Sequence, residues 1–346
     1  MRLEKLRRKM ESIAAACAIA FLLVCAHGQS MKEPAKQESA KKEMGKKEGA
    51  GMLKHEYADV NGVRLHYATA GKGKLIMFVH GFPEFWYEWK DQLAEFSRDY
   101  QAVAPDMRGY NLSSKPADVD QYQVKYMIED LRQLAEKLGH KKFTLVAHDW
   151  GGAIAWSFAI AHSEYLEKLV IINAPHPGVF QRELRDNPAQ QKASQYMLMF
   201  RSPQAEQILS ANNYAALVQA VLGEGLKAGH FTEEDKKAYI EAWSQPGALT
   251  GGLNYYRAAR VGPPAAGTES KGDLASGMTL PSLVVKVPTL VIWGEKDTAL
   301  LTGNLEGLDK FVPNLIIKRI PEGTHWVIHE KPALVNSYIR EFVTSK

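Results

Sequence analysis

Ala147, His148, Asp149, Trp150, Gly151 and Gly152 follow directly on the apolar run Phe143 to Val146 and open an alanine-rich stretch of helical character. A small residue, a central nucleophile and a second small residue two places on make a sharp strand-to-helix elbow. Such an elbow forces the central side chain outward at the top of a sheet. Here the central residue is Asp149. A carboxylate nucleophile attacks carbon by displacement and forms an alkyl ester, so its natural substrates are strained or activated C–O and C–halogen bonds.

Three further signals surround the elbow in chain order. His80, Gly81, Phe82, Pro83 and Glu84 follow the strand-like run Leu75 to Val79. The backbone N–H of Phe82, with that of Trp150, is expected to stabilise an oxyanion on the Asp149 carboxyl. Asp297, in Gly294, Glu295, Lys296, Asp297, Thr298, follows the run Leu290 to Trp293, and His325, in Gly323, Thr324, His325, Trp326, follows Leu315 to Ile320. His325 is the expected base for a hydrolytic water, and Asp297 the group that fixes its tautomer and stabilises the imidazolium. Asn173, after Leu169 to Ile172, occupies another position from which an acid can be supplied, but it is an amide and leaves Asp297 the better candidate. Oxyanion loop, nucleophile, acid and histidine stand in the order that an α/β-hydrolase fold requires.

The elements that must position these residues are legible as patterns. A hairpin, Tyr57 to Val60 and Val63 to Ala68, is expected across Asn61 and Gly62. Leu75 to Val79, Ala102 to Ala104, Phe143 to Ala147 and Leu169 to Ile172 are short and nearly all apolar, as strands covered on both faces should be. Helical patterns at Val124 to Leu138 and Ala153 to His162 lie between them, which implies a mostly parallel sheet flanked by helices. From about Phe180 to Arg260 the periodicity is helical throughout, and a Gly, Pro and Ser rich stretch from Val261 to Pro281 leads back to Leu290 to Trp293, Leu315 to Ile320 and a last helix, Pro332 to Thr344. The expected organisation is therefore a core of residues 53–177 and 281–346 with a helical cap, 178–280, inserted between its halves.

Composition excludes several classes of function. The chain of 346 residues has 43 basic and 39 acidic side chains; the first 28 residues hold five and two of these, so the remainder carries 38 against 37. A nearly neutral body without a basic cluster argues against a nucleic-acid partner. Residues 1–28 read as an export signal: a basic stretch to Met10, an apolar run from Ile13 to Ala26, then small residues. The apolar run is short for a membrane span, which needs about 20 residues, so an uncleaved anchor is the secondary expectation. Cys25 after Leu22, Leu23 and Val24 faintly resembles a lipoprotein cleavage site, although valine fits poorly before the cysteine. The protein is expected outside the cytoplasm, periplasmic or secreted, touching a membrane only through an uncleaved or lipidated N-terminus. Both cysteines, Cys17 and Cys25, lie in this segment, so the mature chain is expected to use no thiol chemistry and no disulfide. Residues 29–52, rich in Lys, Glu, Gly and Ser, read as a charged flexible linker.

Across residues 55 to 346 the chain resembles the epoxide hydrolases of the α/β-hydrolase fold. His80 to Glu84, then Asp106, Met107, Arg108, Gly109, Tyr110, and the elbow His148 to Gly152 are similar to theirs. Two further motifs, Tyr196, Met197, Leu198, Met199, Phe200 and Leu253, Asn254, Tyr255, Tyr256, Arg257, match the contexts of the two cap tyrosines that hold and protonate the epoxide oxygen in that family. The resemblance thus implies Tyr196 and Tyr256 as proton donors, with Tyr255 taking the place of Tyr256 if the register slips by one. It implies epoxide opening to a vicinal diol, a small apolar epoxide and water as partners, and no metal or organic cofactor. Trp86, Trp89, Trp150 and Trp326 are expected to line an apolar substrate pocket or pack beneath it, and Glu84, Asp106, Arg108 and His148 to hold loops in place.

Two other readings compete. A haloalkane dehalogenase would use the same ester chemistry but needs a second N–H donor for halide beside the Trp150 indole, and Phe82 stands where an asparagine often does. A fluoroacetate-type enzyme would want arginines after the nucleophile, where positions 150 and 153 are Trp and Ala. A non-catalytic exported binding protein on the same scaffold is opposed by the intact set Asp149, His325 and Asp297.

Overall fold

The computed structural model describes residues 52–264 and 283–345. The chain divides into two units, Met1–Lys47 and Glu48–Lys346. The first lies outside the described residues, and with it the expected export signal and most of the expected linker; so does the larger part of the Gly, Pro and Ser rich stretch.

In the second unit β1 (Lys54–Val60) and β2 (Val63–Ala70) form the antiparallel hairpin, turned by Asn61 and Gly62 at φ 46° and 76°. Positive φ at both turn residues matches the right-handed twist of the strands they join. Then come β3 (Leu75–Val79), β4 (Gln101–Pro105), β5 (Phe143–His148), β6 (Leu166–Ile172), β7 (Thr289–Gly294) and β8 (Leu315–Ile320). Across the sheet the order is β1-β2-β4-β3-β5-β6-β7-β8, antiparallel at its first two pairings and parallel from there on.

Alternate residues of the central strands face opposite ways, and both faces are covered. Met77, Leu145, Leu169 and Val291 pack with Leu131 and Leu134 of α2 (Val124–Lys137) and Ile154 and Phe158 of α3 (Asp149–Ala161). Ile76, Val146, Val170 and Ile292 pack on the other side with Leu93 and Phe96 of α1 (Lys90–Phe96) and with Val335 and Ile339 of the last helix, Pro332–Thr344. Each such side chain contributes about 1.5–3 kcal/mol by leaving water. Double coverage is why these strands read as apolar runs rather than as alternations.

Between β6 and β7 the elements among the described residues are helices: α4 (Pro177–Asp186), α5 (Pro188–Ala193), α6 (Tyr196–Phe200), α7 (Ala205–Leu217, broken by non-helical backbone at Ala211 to Tyr214), α8 (Gly223–Ala228), α9 (Glu233–Ser244) and α10 (Ala248–Ala259). After β8 come α11 (Val327–Glu330) and α12, the last helix already described. The helix expected from Ala153 begins at Asp149, because Gly151 and Gly152 belong to its first turn, and several strands run one to three residues past their expected bounds, β1 from Lys54 and β6 from Leu166 among them; the short helices α1 and α11 have no counterpart in the sequence pattern.

Chain order places the site. From β3 the chain steps outward to β4 and then returns to the other side of β3 as β5, with Val79 paired to Ala147. Ligands in open parallel sheets bind at the carboxyl ends of the strands where the winding reverses in this way. His80 to Phe82 leave the end of β3, and Asp149 leaves the end of β5.

Candidate active site

His148 closes β5 in extended conformation, Asp149 turns to φ 48°, and α3 begins at once. That conformation costs a non-glycine residue about 1–2 kcal/mol, and it aims the carboxylate back across the strand ends. Small neighbours make the turn feasible. A Cβ on Gly151 would run into the carbonyl of Val79, and one on Gly81 would run into the Asp149 side chain itself. The Phe82 N–H donates to Asp149 Oδ1 at 2.8 Å. The Trp150 N–H belongs to the first turn of α3, where no preceding helical carbonyl accepts it.

On the other side of the carboxylate, His325 Nε2 lies 3.7 Å from Asp149 Oδ2, and His325 Nδ1 is 2.7 Å from Asp297 Oδ2. Asp149 and His325 keep 11% and 12% side-chain exposure, so both reach a surface that a small molecule can meet. Asp297 is fully enclosed. Its Oδ1 accepts from the Ala299 and Leu300 N–H groups, and its Oδ2 also accepts from Asn173 Nδ2 at 2.9 Å. Burial alone would push the His325 pKa down, but the carboxylates of Asp297 and Asp149 outweigh it and raise it to about 9. Burial pushes Asp297 the other way, and the imidazolium together with the Leu300 and Asn173 donors holds it below its ordinary value. With Asp149 free, the arrangement is thus an imidazolium between two carboxylates.

Facing this group are two phenols. Tyr196, the first residue of α6, and Tyr256, on α10, have ring centroids 6.4 Å apart. Tyr256 packs edge-on against Phe82, Trp150 and Phe200. Burial, then the nearby Asp149 charge, raises Tyr196; burial, then Tyr196 and Asp149, raises Tyr256. Both are therefore proton carriers at neutral pH. Tyr255 has its hydroxyl engaged elsewhere: its ring packs on Tyr110, Tyr122 and Trp150, and its hydroxyl donates to the Arg108 carbonyl at 2.9 Å.

The model of the alpha/beta hydrolase fold family matches residues 74–332. The AB hydrolase superfamily protein YfhM of Bacillus subtilis is 40% identical, over 85% of this chain and 99% of its own. Epoxide hydrolase 4 of Mus musculus is 38% identical, over 82% of this chain and 77% of its own. The crystal structure of Bacillus megaterium epoxide hydrolase in complex with an inhibitor superposes with a TM-score of 0.79 at 40% identity, covering 84% of this chain and all of that one. A mutant of that bacterial enzyme has been crystallised with its product, a naphthyloxy-propanediol. The chain belongs to the epoxide hydrolase family, on the α/β hydrolase fold.

In this epoxide hydrolase family member several other sequence candidates hold loops. Asp106 accepts from the Trp86 N–H through Oδ1 and from Asn111 Nδ2 through Oδ2, which also pairs with His66. Arg108 is locked by Asp130 through two hydrogen bonds of 2.5 and 2.6 Å, all of it buried. Trp326 stands edge-on to His325, with centroids 4.8 Å apart. Trp89 is fully buried beneath the sheet against Phe78. Trp86 meets His55, Phe85 and Tyr87, and no described ring contact joins it to Trp150, Tyr196 or Tyr256.

Two features escaped the pattern reading. Asn173, weighed as a stand-in for the acid, instead donates to it, and its Oδ1 accepts the Gly294 N–H, so it joins the ends of β6 and β7. Beneath the site Glu84, Glu88 and His329 come within 4.8 Å of one another. Glu84 is engaged by Tyr239 and His329, and Glu88 by His148, so the group is a hydrogen-bonded network and not a set of free metal ligands.

Proposed function

We propose that the protein opens a small apolar epoxide to a vicinal diol in two steps, through an ester on Asp149. One observation carries the reading: Asp149 has one oxygen tied to the Phe82 amide and the other, Oδ2, turned toward His325 and left without a close donor. Oδ2 is then the attacking atom, and Oδ1 becomes the ester carbonyl. The epoxide C–O bond breaks as the new C–O bond forms, and the departing alkoxide takes a proton from Tyr196 or Tyr256. The diol bound to a mutant of the Bacillus megaterium relative supports this outcome.

Charge balance links the steps. Once Asp149 is esterified, one of the two carboxylates that raise the His325 pKa is gone, so the imidazolium returns a proton to the tyrosinate and becomes a neutral base. Neutral His325, held by Asp297, deprotonates a water that attacks the Asp149 carboxyl carbon. The Phe82 and Trp150 N–H groups stabilise the oxyanion on Oδ1. The diol leaves with the proton from His325, and the new carboxylic acid passes its own proton back to the imidazole. We propose that the helical segment between β6 and β7 caps the site and that the order of residues 1–28 directs export.

The test is intact-protein mass after mixing a His325→Gln variant with an aryl epoxide and, separately, with a bromoalkane. An adduct with the epoxide is expected, because loss of the base traps the ester. An adduct with the bromoalkane alone would point to dehalogenation instead and reduce the two tyrosines to packing.

A further inference from the structure

We infer that Glu88 is a buried, protonated carboxylic acid that donates to His148 and so fixes the tautomer with which His148 holds the carbonyl of His325. Glu88 is thereby a positioning residue for ester hydrolysis, a role that rests on the two-step reading above.

The geometry fixes the direction of the first bond and, for a neutral imidazole, that of the second. His148 Nε2 is 2.9 Å from the His325 carbonyl oxygen, which can only accept, so Nε2 carries the proton. His148 Nδ1 is 2.5 Å from Glu88 Oε1. In a neutral imidazole with its proton on Nε2, Nδ1 is a bare lone pair. The hydrogen between Nδ1 and Oε1 then belongs to Glu88.

A second observation agrees. Glu88 Oε2 is buried with no hydrogen-bond partner. An ionised carboxylate would leave a charged oxygen unsolvated there, whereas in an acid donating through Oε1 the other oxygen is a neutral carbonyl, far cheaper to leave unpaired.

The alternative, a doubly protonated His148 beside an ionised Glu88, would also stack one cation on another, since the His148 and His325 rings lie 4.6 Å apart. The surroundings push the same way. Burial, then the proximity of Glu84, raises Glu88, while burial, then the His325 charge, lowers His148 to about 3. Glu84 is the carboxylate that stays ionised: burial opposes this, but His329 and the Tyr239 hydroxyl outweigh it.

The consequence is mechanical. His148 is the residue before the nucleophile, and His325 carries the base. One hydrogen bond therefore ties the elbow to the base loop, and its polarity is set from behind by Glu88. The tie holds the 3.7 Å spacing between His325 Nε2 and Asp149 Oδ2. Ester formation needs the carboxylate and the phenols; ester hydrolysis needs the base in register.

Rapid mixing of enzyme in excess with an aryl epoxide, followed by quenching and intact mass, resolves ester formation from ester decay. Glu88→Gln, whose amide N–H can donate to Nδ1, is expected to decay within about threefold of wild type. Glu88→Leu is expected to form ester at an unchanged rate and lose it at least tenfold more slowly. Equal decay in Glu88→Leu and wild type overturns the inference, as does a Glu88→Gln variant as slow as Glu88→Leu, since the donor would not then be what matters. Infrared difference spectra of wild type against Glu88→Gln at neutral pH should show the C=O stretch of a protonated acid; a carboxylate band in its place overturns the inference independently of turnover. Absence of any ester in wild type would instead sink the two-step reading, and the infrared result still decides the state of Glu88.

Discussion

His325 Nε2 faces Asp149 Oδ2 across 3.7 Å while Nδ1 of the same ring is bonded to Asp297 Oδ2 at 2.7 Å. The imidazole is thus charged between two carboxylates in the free protein and is the natural base once one of them is neutralised.

Removing the negative charge of Asp149 should lower the His325 pKa. The two carboxylates stabilise the charged ring against burial and raise it to about 9, so an Asp149→Asn variant, a neutral stand-in for the ester, loses one of them and its pKa must fall. An NMR titration of His325 in both proteins checks this. Asp297→Asn should lower it further, because Asp297 is the closer and stronger partner. An unchanged titration in Asp149→Asn would contradict the charge logic of the second step.

Tyr196→Phe and Tyr256→Phe should each slow ester formation, and the double variant should slow it by about 10²–10⁴, the range of general-acid catalysis. Decay of preformed ester should change little. Tyr255→Phe is the contrast: it removes the bond to the Arg108 carbonyl and should cost about 1 kcal/mol of stability with the chemistry retained. Stopped-flow rates and urea denaturation separate the two effects.

Gly81→Ala should place a methyl group where the Asp149 side chain lies. A displaced carboxylate loses the Phe82 amide and its line of attack, and a shift of about 1 Å can cost about 100-fold in rate. The fold should persist, with normal circular dichroism and a loss in kcat.

Asp130→Ala should destabilise the protein by about 3–5 kcal/mol, because it leaves the Arg108 guanidinium buried and uncompensated. Asp130 and Arg108 have no side-chain exposure and share two hydrogen bonds, while Asn61 also donates to Asp130. A shift of the urea midpoint measures this, and a shift of less than about 1 kcal/mol would contradict it.

Much of this was legible in the sequence because it is local. The run Leu75 to Val79 coincides with β3, since a strand buried in a parallel sheet needs no alternation to be seen, and Leu315 to Ile320 coincides with the part-exposed edge strand β8, which its isoleucines mark. The elbow was legible because Asp149 and its small neighbours lie within six residues. Asp297 and His325 were legible because each follows a strand end, and strand ends in this topology converge. What pattern could not supply was pairing at long range. Glu88 and His148 are 60 residues apart, and His148 and the His325 carbonyl 177, so no spacing rule connects them. Asn173 looked like a place for an acid; only the structure shows its amide donating to Asp297. Tyr256 could not be separated from Tyr255 until the helix turned one toward Phe82 and Tyr196 and the hydroxyl of the other toward Arg108.

The ester itself is best tested by a single turnover of an epoxide with enzyme in excess in heavy-oxygen water, followed by mass analysis of the peptide containing Asp149. If Asp149 is the nucleophile and water attacks its carboxyl carbon, the label enters the Asp149 side chain and the first diol released carries none. A label found only in the diol would mean that water attacks the epoxide directly, and the ester on Asp149 would have to be abandoned.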